Sequence, residues 1–196
     1  MKYEPFPILI KEYNLTGYPQ KQQLINKVRS SPSSSHPSIQ GKGSSNHNTN
    51  LNQTSGNFIL QNSFNSLLNA FNNSIKDYSQ EVGIKQGKIS NTWFNIQESN
   101  SKLHEHHHPG AAISGAYYPL LEYNTCNLVF HSPLSIYRSN WHQKTNDYSP
   151  YSGEDFTISI KPDHLYIFPG WLNHSTERNK AKQRIVISFN VDPWFI

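Results

Sequence analysis

SKLHEHHHPGAAISGAYYP, residues 101–119, holds His104, His106, His107 and His108 within five positions, followed by a Gly/Ala turn and a run that favours a strand. If the histidines are extended, the side-chain period of two puts His104, His106 and His108 on one face and Glu105 and His107 on the other. Two imidazoles two residues apart on a rigid strand can grip one metal ion. The ion needs at least one more ligand from elsewhere in the chain, and His174 is the candidate.

Around this stretch the C-terminal half reads as short segments of period two. Residues 90–97 alternate, with Thr92, Phe94 and Ile96 on one face and Trp93, Asn95 and Gln97 on the other. Residues 112–118, 127–132, 135–141, 155–161, 164–168 and 183–191 are further strands bounded by Pro, Gly, Asn or Asp. A series of strands with turns between them and no intervening helix predicts an all-β sandwich or barrel. On the last strand Ile185, Ile187, Phe189 and Val191 share one face, leaving Arg184, Val186, Ser188 and Asn190 on the other. An arginine pointing into a barrel beside apolar neighbours needs an anionic partner. Its fork suits a carboxylate bound through both oxygens, so a dicarboxylic ligand is one candidate and a structural ion pair with Asp155 or Glu177 is the other.

The N-terminal half is different in character. Residues 6–11 read as a short first or edge strand, and residues 20–29 as a short helix with Leu24, Ile25 and Val28 on one side. Residues 30–57 are rich in Ser, Asn, Pro, Gly and Gln, so they are expected to form a long loop without secondary structure, with His36 and His47 solvated. Across residues 58–82, Leu60, Phe64, Leu67, Leu68, Phe71, Ile75 and Tyr78 mark one apolar stripe of a long amphipathic helix that would back a sheet. The expected organisation is an N-terminal helical support, 1–89, and a β core, 90–196, within one structural domain.

Composition narrows the function classes. With 196 residues the chain can bury a core without disulfides, and the lone Cys126 excludes an intrachain disulfide framework and fits a reducing compartment. Cys126 itself reads as a small buried hydrophobe. The net charge of +4 is spread without a basic stripe, so no nucleic-acid partner is expected. The apolar run near the N-terminus is too short and too charged for a signal peptide or a membrane span, and a cytoplasmic protein with no membrane partner is expected. Trp93, Trp141, Trp171 and Trp194 read as core or rim packing, and His131, His142 and His164 as structural, with His131 alone placed to face a pocket.

Taken together, Trp93-Phe-Asn-Ile, His106-His-His-Pro-Gly, Ser114-Gly-Ala-Tyr-Tyr, Leu128-Val-Phe-His-Ser-Pro, Phe168-Pro-Gly-Trp-Leu-Asn-His and Arg184-Ile-Val-Ile-Ser-Phe-Asn resemble the iron(II)- and 2-oxoglutarate-dependent dioxygenase superfamily. The likeness is to its small prolyl 4-hydroxylase-like oxygenases of marine bacteria and phages. It covers residues 90–191, and it rests on the order of the pieces and the spacing from His174 to Arg184. The resemblance implies a mainly β chain with supporting helices, folded as a double-stranded β-helix, the jelly-roll or cupin-like barrel. It also implies iron(II) held by His106, His108 and His174, with Arg184 on the far carboxylate of 2-oxoglutarate. Tyr118, Asn95 and Ser188 would complete the cosubstrate site, and ascorbate is a candidate auxiliary.

Two departures stand out. The superfamily pairs its first histidine with Asp or Glu two residues on, whereas this chain has His108, and Val186 occupies a position that is often serine. The activity implied is hydroxylation of a small-molecule or peptide substrate. The competing reading is a cupin-like three-histidine metal-binding module without 2-oxoglutarate turnover.

Overall fold

Eleven strands and three helices make up the computed structural model, which describes residues 6–47, 56–138 and 152–193. In chain order they are β1 (Lys11–Asn14), α1 (Lys21–Ser30), β2 (Ile39–Gln40), β3 (Gly43–Ser45), α2 (Phe58–Gln61), α3 (Asn65–Val82) and β4 (Lys88–Glu98). There follow β5 (Lys102–Leu103), β6 (Ile113–Leu121), β7 (Leu128–His131), β8 (Asp155–Ile158), β9 (His164–Pro169), β10 (His174–Thr176) and β11 (Gln183–Asp192).

The alternating strands β4, β6, β9 and β11 build an antiparallel sheet of six, in the order β1-β9-β6-β11-β4-β3. A second sheet, β10-β7-β8, lies across it, and β2 and β5 form a ribbon beside the opening. One face of the large sheet carries Phe94, Ile113, Tyr117, Leu165, Ile167, Ile185, Ile187, Phe189 and Val191. These pack against Leu24, Ile25 and Val28 of α1 and Leu67, Phe71, Ile75 and Tyr78 of α3. Its other face carries Ala116, Tyr118, Tyr166, Phe168 and Val186 against Leu128 and Phe130 of the small sheet. The helices thus seal one side of the large sheet, and the space between the two sheets is the interior of a double-stranded β-helix. Among the described residues, no helix is long and apolar enough to cross a membrane.

Four expectations change. The first strand begins at Lys11, where it can pair with β9, and Phe6 ahead of it is exposed. The long helix is broken into α2 and α3 by Ser63, at φ 59°. Phe58 and Ile59 are pulled onto β4, Ile59 N–H donating to Thr92 Oγ1 and Asn57 capping Leu60 N–H, so Leu60 is turned outward and left exposed. Residues 135–138 form a single 3-10 turn after Ser132-Pro133 instead of a strand, with Ser135 N–H bonded to Ser132 O; residues 139–141 lie outside the described residues. Within 30–57, β3 is the edge strand beyond β4. Gly43 makes the approach possible, since a Cβ there would lie 2.7 Å from Ile96 O. Polar composition hid this strand because edge pairing rests on backbone hydrogen bonds, not on apolar side chains.

Candidate metal and cosubstrate site

The histidine stretch is positioned by backbone pairing with the start of β10. His106 and His174 exchange both backbone bonds, at 3.0 and 2.9 Å, and His108 N–H donates to Gly170 O at 2.9 Å. Gly170 has to be glycine for this contact: a Cβ would meet Ala111 O at 2.4 Å. Regular strand ends at Leu103, and His104 is exposed with its N–H on Ser38 O. The period-two expectation therefore holds for His106 and His108 and not for His104. Glu105 and His107 turn the other way and share Asn173, whose Nδ2 donates to Glu105 Oε1 at 2.9 Å while His107 Nδ1 sits 3.1 Å from its Oδ1.

The ligand atoms of His106, His108 and His174 all lie within 4.8 Å of one another, and among the described residues they form the one such cluster. Nitrogens bound cis to one ion at ~2.1 Å lie about 3 Å apart, so small ring rotations would close the set. The tautomers suit this. His106 Nδ1 is 2.8 Å from His104 O and His174 Nδ1 is 2.9 Å from Leu172 O; a carbonyl only accepts, so both Nδ1 atoms carry hydrogen and both Nε2 lone pairs are free. Burial, with the neighbouring imidazoles, lowers the pKa of all three, His108 to about 4 and His174 well below its ordinary value. Neutral imidazole is the form a metal needs. The donor set therefore fits a divalent transition metal, with three neutral nitrogens and no carboxylate.

Arg184 faces the same cavity. Its volume is about 360 Å³, and its lining also includes Trp93, Asn95, Tyr118, Ser188 and Asn190. Every residue the sequence suggested for metal or cosubstrate is therefore in one place. Arg184 is 1% exposed, yet among the described residues it has no carboxylate partner. Asp155 pairs with His131 instead, and Glu177 accepts from Asn127 N–H. The Arg184 guanidinium donates through Nη1 to Cys126 O at 3.3 Å, touches the Cys126 sulfur, and lies over the Tyr118 ring at 5.3 Å, while its Nε has no partner. Gln97, opposite Arg184 on β4, has both amide atoms buried and unpartnered. A buried cation beside unsatisfied polar atoms is costly until an anion enters.

Two readings of the sequence need correction here. His36 and His47 are not solvated: both line the cavity, and burial lowers the pKa of each, His47 to about 4. Strand β3 brings His47 in, a placement no side-chain pattern announced. His131 does not line the cavity; its ring is fixed by Asp155 at 2.7 Å and Ser175 at 2.9 Å. Trp93 is buried as a packing residue, standing against His47 at 4.6 Å and His108 at 5.6 Å on the cavity wall. Trp141, His142 and Trp194 lie outside the described residues.

Fold and cavity together define a double-stranded β-helix protein with a histidine cluster and a buried arginine inside the barrel. Residues 91–190, about half of the chain, match the sequence model of the family described as "Putative 2OG-Fe(II) oxygenase", and the chain belongs to that family of iron(II)- and 2-oxoglutarate-dependent enzymes. No curated protein sequence matches it. Among solved structures, HygX from Streptomyces hygroscopicus, with nickel, 2-oxoglutarate and hygromycin B bound, is similar at TM-score 0.64 and 8% identity, over 96% of this chain and 84% of that one. A Pseudomonas putida prolyl-4-hydroxylase is similar at TM-score 0.60 and 9% identity, over 95% and 93% of the two chains. The viral collagen prolyl hydroxylase of Paramecium Bursaria Chlorella virus-1 is similar at TM-score 0.56 and 10% identity, over 94% and 96%. At these identities the likeness is one of fold.

Proposed function

We propose that this oxygenase is a hydroxylase of a small-molecule or peptide substrate, with His106, His108 and His174 as its iron ligands and Arg184 as the anchor of 2-oxoglutarate. The observation that carries the proposal is a buried arginine that has no acid partner among the described residues, facing a triad of neutral imidazoles across one cavity. When bound, iron(II) and 2-oxoglutarate would supply the oxygen chemistry: dioxygen is the oxidant, one of its atoms entering succinate as the keto acid loses carbon dioxide and the other becoming the new hydroxyl group of the substrate.

The chain's own residues bind and orient. The Arg184 guanidinium holds the far carboxylate, relieving its own desolvation, and Tyr118, lying against it, closes that end of the cavity. Asn95 and Ser188, neighbours on β4 and β11, offer hydrogen bonds along the cosubstrate. The carbonyls of His104 and Leu172 hold His106 and His174 in the ligating tautomer. Phe130 and Phe168, stacked edge to face at 5.0 Å, keep water from the wall behind His174.

The test is anaerobic titration of the protein with iron(II) and 2-oxoglutarate, following the charge-transfer band of the chelated keto acid. A band that saturates near one equivalent in the wild type and is lost in His174→Ala is expected. Tight metal binding with no band would replace the hydroxylase by the three-histidine binding module.

A further inference from the structure

His36, Ser38 and His47 line the cavity as well, and the hydrogens on these two imidazoles follow from the backbone. Ser38 N–H lies 3.2 Å from His36 Nδ1. A backbone N–H only donates, so that nitrogen accepts, and a neutral His36 carries its hydrogen on Nε2. His36 Nε2 in turn faces His47 Nδ1 at 3.5 Å, which makes His47 Nδ1 an acceptor and leaves the His47 hydrogen on Nε2. Both rings are neutral at pH 7, because burial lowers their pKa.

The His47 Nε2–H has no hydrogen-bond partner among the described residues, and its ring is held in place. His47 N–H donates to Ser45 Oγ at 3.0 Å, Ser45 Oγ donates to Phe94 O at 3.0 Å, and Trp93 packs on the imidazole. Trp93 also packs on His108, so the free donor stands on the same wall as the histidine triad. Among the described residues, no Asp, Glu or Lys lines the cavity. An incoming ammonium group would find no counter-charge there, whereas an oxygen would find a preset donor.

We propose that His47 is a specificity-determining residue: its Nε2–H donates a hydrogen bond to a carbonyl, hydroxyl or carboxylate oxygen of the substrate, which presents no ammonium group to this wall. Calling the ligand a substrate rests on the oxygenase reading; the free donor does not.

The experiment uses histidine labelled with nitrogen-15 in the full chain, metal-free and loaded with zinc(II) and 2-oxoglutarate, and reads the imidazole nitrogens by NMR. Benzamide, with a neutral oxygen acceptor, and benzylamine, a cation without one, are the probes. Both His36 and His47 should be protonated on Nε2. Benzamide should shift the His47 Nε2 signal saturably and benzylamine should not. His47→Phe, which keeps a ring against Trp93, should weaken benzamide about fivefold, the worth of one neutral hydrogen bond. His36→Phe should release His47 into a mixture of tautomers. Protonation of His47 on Nδ1, equal binding of the two probes, or unchanged benzamide affinity in His47→Phe would overturn the proposal. Loss of the iron and 2-oxoglutarate band with the benzamide preference intact would sink the oxygenase reading and leave the donor assigned.

Discussion

Replacing Arg184 by Met separates its proposed binding role from any structural one. Arg184 is 1% exposed, and among the described residues its guanidinium bonds to Cys126, lies over Tyr118 and leaves Nε unpartnered. A buried ion pair lost to Met often costs little, and here there is no such pair among the described residues. The ligand-free variant should therefore stay within about 1 kcal/mol of the wild type or gain stability. Binding is another matter. Two charge-assisted hydrogen bonds to a carboxylate contribute about 3–5 kcal/mol, so 2-oxoglutarate affinity should fall roughly 100- to 4,000-fold. At a concentration 100 times its dissociation constant, 2-oxoglutarate adds about 2.7 kcal/mol to wild-type stability, which for a chain of this size raises the melting temperature by about 5–10 °C. The same concentration should move Arg184→Met by at most about 1–2 °C. Thermal melts with metal present, with and without 2-oxoglutarate, give both numbers in one assay. A folded Arg184→Met protein that binds 2-oxoglutarate within about threefold of wild type would refute the reasoning.

Three further outcomes follow from the same geometry. The metal-free protein should lose stability as pH falls from 6.5 towards 4. His47 and His108 titrate at about 4 when folded and 6.5 when unfolded, so below 6.5 the unfolded chain binds more protons; urea melts at several pH values check this. Gly115→Ala should destabilise by about 1–3 kcal/mol, because a Cβ there lies 2.2 Å from the Phe189 ring, which Phe71 at 5.0 Å prevents from yielding; its melting curve reads the loss directly. Metal and 2-oxoglutarate should each tighten the other's binding by the same factor, at least tenfold, measured by calorimetric titration in both orders, with zinc(II) as the redox-silent metal.

Much of the fold was legible because a half-buried strand carries its own address. The alternation on β4 and β11 sorted Phe94, Ile185, Ile187 and Phe189 to the helix side and Asn95, Arg184, Ser188 and Asn190 to the cavity, and the structure keeps that sorting. The triad was legible because His106 and His108 are close in sequence and a third imidazole had to be supplied from a distance. The segment carrying His36 and His47 was not legible. Its strand is held by backbone bonds to β4 and its fit by a missing side chain at Gly43, and neither leaves an apolar pattern. The helix break at Ser63 was hidden for a related reason: the stripe ran unbroken through residues 58–78, and only the docking of Ile59 on Thr92 turned Leu60 outward.

The absence of a carboxylate in the triad bears on how the cavity is balanced. With two histidines and one acid, a divalent ion arrives at a site that already carries a negative charge. Here His106, His108 and His174 are neutral and Arg184 is cationic, and among the described residues Arg184 has no acid partner and none of the cavity lining is acidic. Iron(II) held there would bring the charge of metal and arginine to +3, and a dianionic keto acid would lower it to +1, where a triad with one carboxylate would reach neutrality. Charge opposes metal binding alone and favours binding of both together, the coupling expected above. The same balance bears on the wall that carries His47: with a charge of +1 left beside it, a neutral donor there would select a substrate oxygen by hydrogen bonding without adding further charge to the barrel.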